Sequence, residues 1–182
     1  TARNAGILWV TAAGNDREAH WGGPYYDPEG DGTHNFTVSQ DVNYFGPGNG
    51  DGYLIPSGYL FTVAARWDDW VNVNQDYDLY LLRWNGSDWE VVGYSWNEQA
   101  GVPGQEPTEY AQVVTSGANA VYGIGIDCYS CSRNVNFEVF APKLARLDQV
   151  VNARSLANLA DVPLAFTVAA LDVNSPYPQE PY

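Results

Sequence analysis

The chain has 182 residues, room for one domain of ordinary size with flanks. Its 22 acidic residues against 8 basic ones give a formal charge of −14, which excludes a nucleic-acid partner, because phosphate binding needs clusters of Lys and Arg. With 13 Tyr, 7 Trp and 18 Gly it suits a soluble extracellular β-rich module; no apolar run reaches the ~18 residues of a membrane span, and the lack of Met and of a leader implies a piece of a longer gene product.

Ile7 to Val10 is a short uninterrupted apolar run, the pattern of a strand buried on both faces of a parallel sheet. Ala12, Ala13 and Gly14 then let a ligand approach the backbone, and Asn15 offers an amide donor just past the strand end, where open α/β sheets bind ligands. A buried strand followed by an Asn turn accounts for the same residues. Gly22, Gly23 and Pro24 mark a boundary. In Asp27 to Asn35, reading DPEGDGTHN, the carboxylates of Asp27, Glu29 and Asp31 fall at alternate positions before Gly32, as in the first half of a calcium loop. Val38 stands where an EF-hand needs a bidentate Glu, so calcium held by these three residues competes with a solvated acidic turn. Asn35 to Val38 is expected to continue as a strand.

From Phe36 to Ala141 the hydrophobic period is two. Tyr59, Phe61, Val63, Ala65 and Trp67 share one strand face, as do Tyr77, Leu79 and Leu81 in DYDLYLLRW. Asn85-Gly86 turns this strand into a hairpin partner at Trp89 to Trp96. Further strands are expected over 110–115, 120–126 and 136–141, with Gly123 and Gly125 baring one face for a close neighbour. Such short strands between Gly, Pro and Asn turns argue an antiparallel β-sandwich. Cys128 and Cys131, three apart after a strand, suit a local disulfide or a reduced pair better than zinc, since His20 and His34 are the only histidines. Trp67, Trp70, Trp84, Trp89 and Trp96 offer rings for sugars or peptides, or else fill the core, where alternation places Trp67. Beyond Pro142 the pattern reads as a partly irregular return, and Leu164 to Leu171 as a second buried strand.

AAGN after an apolar strand, with ADVPLAFTVAALD over Ala160 to Asp172 and the final SPYPQEPY, resembles subtilisin-like serine peptidases. The resemblance implies that Asn15 donates to the oxyanion, that Ala12, Ala13 and Gly14 line the pocket for the substrate side chain before the cleaved bond, and that the two flanking strands pair in parallel. In that family a short loop joins these segments. Here about 145 residues lie between them, so a domain must be inserted. His34 stands in a Gly-Thr-His context like the family's catalytic His, but it follows the oxyanion Asn in the chain instead of preceding it, and is rejected. The triad Asp, His and Ser have no matching motif. The middle part, through DYDLYLL, Ser95 and QEPTEY, is similar to the pre-peptidase C-terminal and related jelly-roll domains of secreted bacterial peptidases, which implies Asp76 or Asp78 as calcium ligands; strand residues flanking a polar edge explain them equally.

The expected organisation is a peptidase segment over 1–22, an inserted β-sandwich over 23–142 and a return into the peptidase over 143–182. The expected fold class is mainly β, a jelly-roll-like antiparallel sandwich with two flanking segments of a parallel α/β sheet. The function implied is that of part of a secreted subtilisin-like endopeptidase, inactive alone, whose partners are the rest of the parent chain and its peptide or protein substrate. Exposed flanking strands also invite self-association. The alternative is a calcium-dependent carbohydrate- or protein-binding module.

Overall fold

The computed structural model describes residues 5–8, 10–14, 17–48, 51–141, 146–155 and 166–169. Ten strands are described: β1 Val10–Ala12, β2 His20–Pro24, β3 Asn43–Tyr44, β4 Leu60–Trp67, β5 Asp76–Trp84, β6 Trp89–Ser95, β7 Thr108–Val114, β8 Tyr122–Ser130, β9 Asn136–Phe140 and β10 Phe166–Val168. They form a sandwich of two four-stranded antiparallel sheets, ordered β2-β9-β4-β7 and β3-β8-β5-β6, and a separate parallel pair, β1-β10. The fold class is the one expected.

Alternation decides which side chains meet between the sheets. Phe61, Val63, Ala65 and Trp67 of β4 are buried and face Tyr77, Leu79 and Leu81 of β5 with Tyr122, Ile124 and Ile126 of β8. An aromatic seam joins the layers: Tyr77 lies 5.5 Å from Trp67 and 4.9 Å from Phe137 between ring centroids, both edge-on. Each such side chain taken from water stabilises the fold by about 1.5–3 kcal/mol. The close neighbour expected at Gly123 is β3, where a Cβ would collide with Val42 and the Tyr44 backbone. The expected β5–β6 hairpin forms, with Asn85 Oδ1 accepting from the Ser87 and Asp88 amides. Cys128 and Cys131 are joined as a disulfide.

The stretch expected as a strand over 35–38 is instead a tight turn in which Thr37 bridges to Gln40. Aromatic packing wins over the local β pattern there. Phe36 and His34 turn inward onto Trp21, and His34 is fully buried among Trp21, Tyr25, Phe36 and Phe137. Its Nδ1 accepts the Tyr26 amide at 3.1 Å, which places the proton on Nε2, an atom without a partner.

The sandwich closes on itself where the chain enters and leaves. The Leu147 amide donates to the Glu18 carbonyl, the Ala141 amide to Ala19, and the Val151 amide to His20. Leu147 is fully buried, so the hydrogen-bonded body of the sandwich takes in residues on both sides of 22/23 and of 142/143. The His20 ring is tied at both nitrogens, to the Val151 carbonyl at 2.7 Å and to Glu138 at 2.6 Å, and Glu138 also holds Arg154 at 2.6 Å.

At the other end of β6 a second buried network organises a loop. Glu109 on β7 is 1% exposed and accepts from the Ser95 hydroxyl, the Asn97 backbone and side-chain amides, and Gln99 Nε2. Residues 95, 97 and 99 grip the carboxylate, while Trp96 and Glu98 between them are exposed.

Glu109→Ala strips four donors of their acceptor. It is expected to cost about 2–4 kcal/mol in urea unfolding, against no more than about 0.5 kcal/mol for Glu98→Ala. For His34, burial pushes the imidazole down to about 4 despite Asp27, which acts the other way, and the Tyr26 amide donating to Nδ1 suits the neutral ring. The folded state thus binds fewer protons than the unfolded one between that value and the ordinary 6.5, and stability is lost as pH falls through this window, by on the order of 3 kcal/mol. Nitrogen NMR of the ring is expected to show an Nε2–H tautomer that persists to about pH 4; a midpoint at 6.5 or above contradicts it.

Candidate functional site

β5 carries its acids on the face opposite its core side chains. Tyr77, Leu79 and Leu81 point inward, so Asp76 and Asp78 point outward, and a bulge between Asp76 and Tyr77 lies beside them. They line an open depression of about 430 Å³ together with Trp96, Glu98 and Tyr129. The grip of Glu109 on Ser95, Asn97 and Gln99 presents Trp96 and Glu98 to it. Tyr129 comes from the end of β8, where the Cys128–Cys131 disulfide ties the strand to the residue just past it.

Asp76 is only 5% exposed, and its Oδ1 has no hydrogen-bond partner. Burial raises its carboxyl above the ordinary value; the Gln99 amide opposes this, and Asp78, Glu109 and Glu98 add to it. Asp78, also buried, is raised by desolvation although the Tyr80 hydroxyl donates to it at 3.2 Å. Across the strand pair Asp78 faces Asp127, two like charges in register, and Asp127 is raised by burial and then by Asp78 and Asp31, against a bond from Thr33. Among the described residues the Arg side chains in ion pairs serve other carboxylates: Arg133 with Asp68 and Asp69, Arg83 with Glu90, Arg146 with Glu18 and Arg154 with Glu138. On the open side the depression is aromatic. Trp96 is 59% exposed and lies 3.8 Å from the Tyr94 ring centroid, and Tyr129 is 74% exposed.

The residues expected from the calcium-loop pattern close a turn. Asp27 accepts the amides of Gly30 at 2.7 Å, Asp31 at 3.2 Å and Gly32 at 2.9 Å, and the Tyr25 hydroxyl at 3.3 Å. Partial desolvation pushes its carboxyl up, but the amides of Gly32, Gly30 and Asp31 outweigh this and hold it below the ordinary value. Asp31 accepts the Thr33 amide, and Glu29 is exposed. The turn lies along β8, with the Cys128 amide donating to Gly32 and Thr33 bridged to Asp127, so Asp31 adds to the acidic face that holds Asp78. Among the described residues no three His, Cys, Asp or Glu side chains converge as a metal-ligand set.

Of the residues expected to form the oxyanion segment, Ala12 ends β1, the Ala13 amide donates to the Val168 carbonyl at 2.8 Å, and Gly14 follows at φ +94°, a conformation that favours glycine. Asn15 lies outside the described residues. β1 and β10 pair in parallel as expected, with Val10 opposite Phe166 and Ala12 opposite Val168. The sandwich leaves this pair bare: Leu8 is 75% and Phe166 61% exposed. Trp96 carried a sequence signal as an aromatic candidate; Glu98, Tyr129 and Asp127 did not stand out. The alternation of Ser95, Asn97 and Gln99 around Glu98 and the Cys-Tyr-Ser-Cys spacing around Tyr129 were the signals available.

No family model and no curated protein sequence matches the chain. Among solved structures, the CspB protease of Clostridium perfringens is similar with a TM-score of 0.54 at 13% identity, over 91% of this chain and 35% of that one. A mitogen derived from Yersinia pseudotuberculosis is similar with a TM-score of 0.42 at 16% identity, over 77% of this chain and 93% of that one. The chain thus spans about a third of the protease that it matches, and the likeness to that protease is one of fold.

Proposed function

We propose that this chain is the oxyanion-hole segment of a secreted subtilisin-like serine endopeptidase, interrupted by its β-sandwich. The observation that carries this reading is the parallel pairing of β1 with β10 across the whole sandwich, ending in Ala12, Ala13 and Gly14 at the carboxyl edge. A parallel pair of three-residue strands is marginal on its own and makes sense as part of a larger sheet. The apolar faces left bare on Leu8, Val10, Phe166 and Val168 fit neighbours supplied by the rest of a peptidase domain. The fold likeness to a protease supports the reading, and the disulfide suits an oxidising compartment.

In this reading a Ser from the remainder of the parent attacks the scissile carbonyl, a His takes and returns the proton, and an Asp orients the His. Asn15 donates its side-chain amide to the oxyanion as charge develops there. Ala12, Ala13 and Gly14 form a wall without side-chain bulk, against which the substrate residue before the cleaved bond rests. This segment contributes transition-state stabilisation and pocket shape, and no nucleophile.

Two outcomes test the proposal. In the parent polypeptide Asn15→Ala is expected to lower kcat by about 100-fold to 1,000-fold with KM little changed, measured on a peptide substrate. The 182-residue chain alone is expected to show no turnover and no labelling by a fluorophosphonate. An unchanged kcat in the variant, or labelling of the isolated chain, sinks the reading.

A further inference from the structure

The sandwich carries a feature that the peptidase reading leaves unused. Asp76, Asp78 and Glu98 bring three carboxylates to one depression whose other walls are the rings of Trp96 and Tyr129. Two of the three carboxylates are buried, and Asp76 Oδ1 is a buried acceptor with nothing to accept from. Native proteins satisfy such atoms almost without exception, so an orphaned carboxylate oxygen beside an open depression asks for a donor from outside. The charges around it set the sign of that donor. Asp78, Glu98 and Glu109 all bear on Asp76, no Arg ion pair among the described residues involves Asp76, Asp78 or Glu98, and Asp127 stands opposite Asp78.

The walls narrow the choice among cations. A bare metal ion gains nothing from two exposed indole and phenol faces, and no three ligating side chains converge there among the described residues. The space, about 430 Å³, lies in the range of about 300–1,000 Å³ that holds organic groups. A guanidinium is planar, weakly hydrated, stacks on aromatic faces and offers several N–H donors at once, whereas an ammonium is compact and strongly hydrated. From this geometry we infer that the depression binds the guanidinium of an arginine side chain on a polypeptide, donating to Asp76 Oδ1 and stacking against Trp96. Asp78 and Glu98 complete the negative wall; the Glu109 network holds the segment that carries Trp96, and the disulfide ties the end of β8, which carries Tyr129. This inference stands apart from the peptidase reading, because it is read by binding alone and needs no turnover.

The test uses the chain with acetyl-Gly-Arg-Gly-amide and its Lys and citrulline counterparts, titrated at low salt by calorimetry with indole NMR of Trp96. The Arg peptide is expected to bind about tenfold or more tighter than the Lys peptide, and the citrulline peptide, isosteric but neutral, to show no saturable binding. Asp76→Asn and Trp96→Ala are each expected to weaken Arg binding by about tenfold or more. Asp78→Asn weakens it less, and Asp88→Asn, at the far end of the β5–β6 hairpin, leaves it unchanged. Because Asp76→Asn removes a buried like charge, it should keep or raise the melting temperature, which separates lost binding from lost fold. The inference is overturned if Arg and citrulline peptides bind alike, if Asp76→Asn binds as the parent does, if no peptide binds, or if calcium chloride displaces the Arg peptide by occupying the carboxylates itself.

Discussion

The edge-on contact of Tyr77 with Trp67 and Phe137 is the constraint on which the surface chemistry of the sandwich depends. It pins β5 to the opposite sheet at one register. A slip of one residue would turn Asp76, Asp78 and Tyr80 into the core and Tyr77, Leu79 and Leu81 out to water. Burial of those three apolar side chains, worth about 1.5–3 kcal/mol each, outweighs the like-charge contact that the same register imposes between Asp78 and Asp127. The acidic face is thus a consequence of core packing. It persists because a one-residue slip would bury the acids and expose the apolar face.

What was legible in the sequence was whatever alternation or glycine could encode. The faces of β4 and β5, the hairpin at Asn85, the close approach at Gly123 and the parallel pairing of the flanks all follow from local pattern or from the family likeness. The rest needed the third dimension. Phe36 belongs to a β-prone run, yet its ring packs edge-on against Trp21 and His34, and the chain turns to let it. The Asp-x-Glu-x-Asp-Gly spacing serves a backbone-capped turn as readily as an ion, because both want oxygens pointing inward around a glycine; Asp27 spends its acceptors on three amides. Glu98, from the segment after β6, and Tyr129, at the end of β8, are distant in sequence from Asp76 and meet it only in the folded sandwich.

The electrostatics divide along the same lines. Asp27, Asp68 and Asp69 sit below the ordinary carboxylate value because amides or Arg133 serve them in spite of desolvation; their contribution is present above that value and is lost as pH falls through their folded one. Asp76, Asp78, Asp127 and Glu109 are raised chiefly by burial, so the folded state holds their protons longer and stability drains away as pH rises from their ordinary values through the folded ones. Glu109 belongs to this second set in spite of its four bonds, which are all to neutral donors. A fully bonded carboxylate buried without a cation is still a cost to the charged form.

The two structural parts are joined by the way the sandwich ends. A parallel pair needs a crossover, and a flexible crossover spanning most of the chain would tax its closure and leave strands as short as β1 and β10 unable to find each other. Here the crossover is folded. Glu18, Ala19 and His20 on the way in are hydrogen-bonded to Leu147, Ala141 and Val151 on the way out, and His20 with Glu138 and Arg154 stitches the same place from inside. The chain therefore leaves the sandwich beside the point where it entered. The entropy of bringing the ends together is met by the core of the sandwich. That geometry lets a strand pair tolerate a domain between its members, and it leaves the faces of Leu8 and Phe166 bare of the sandwich.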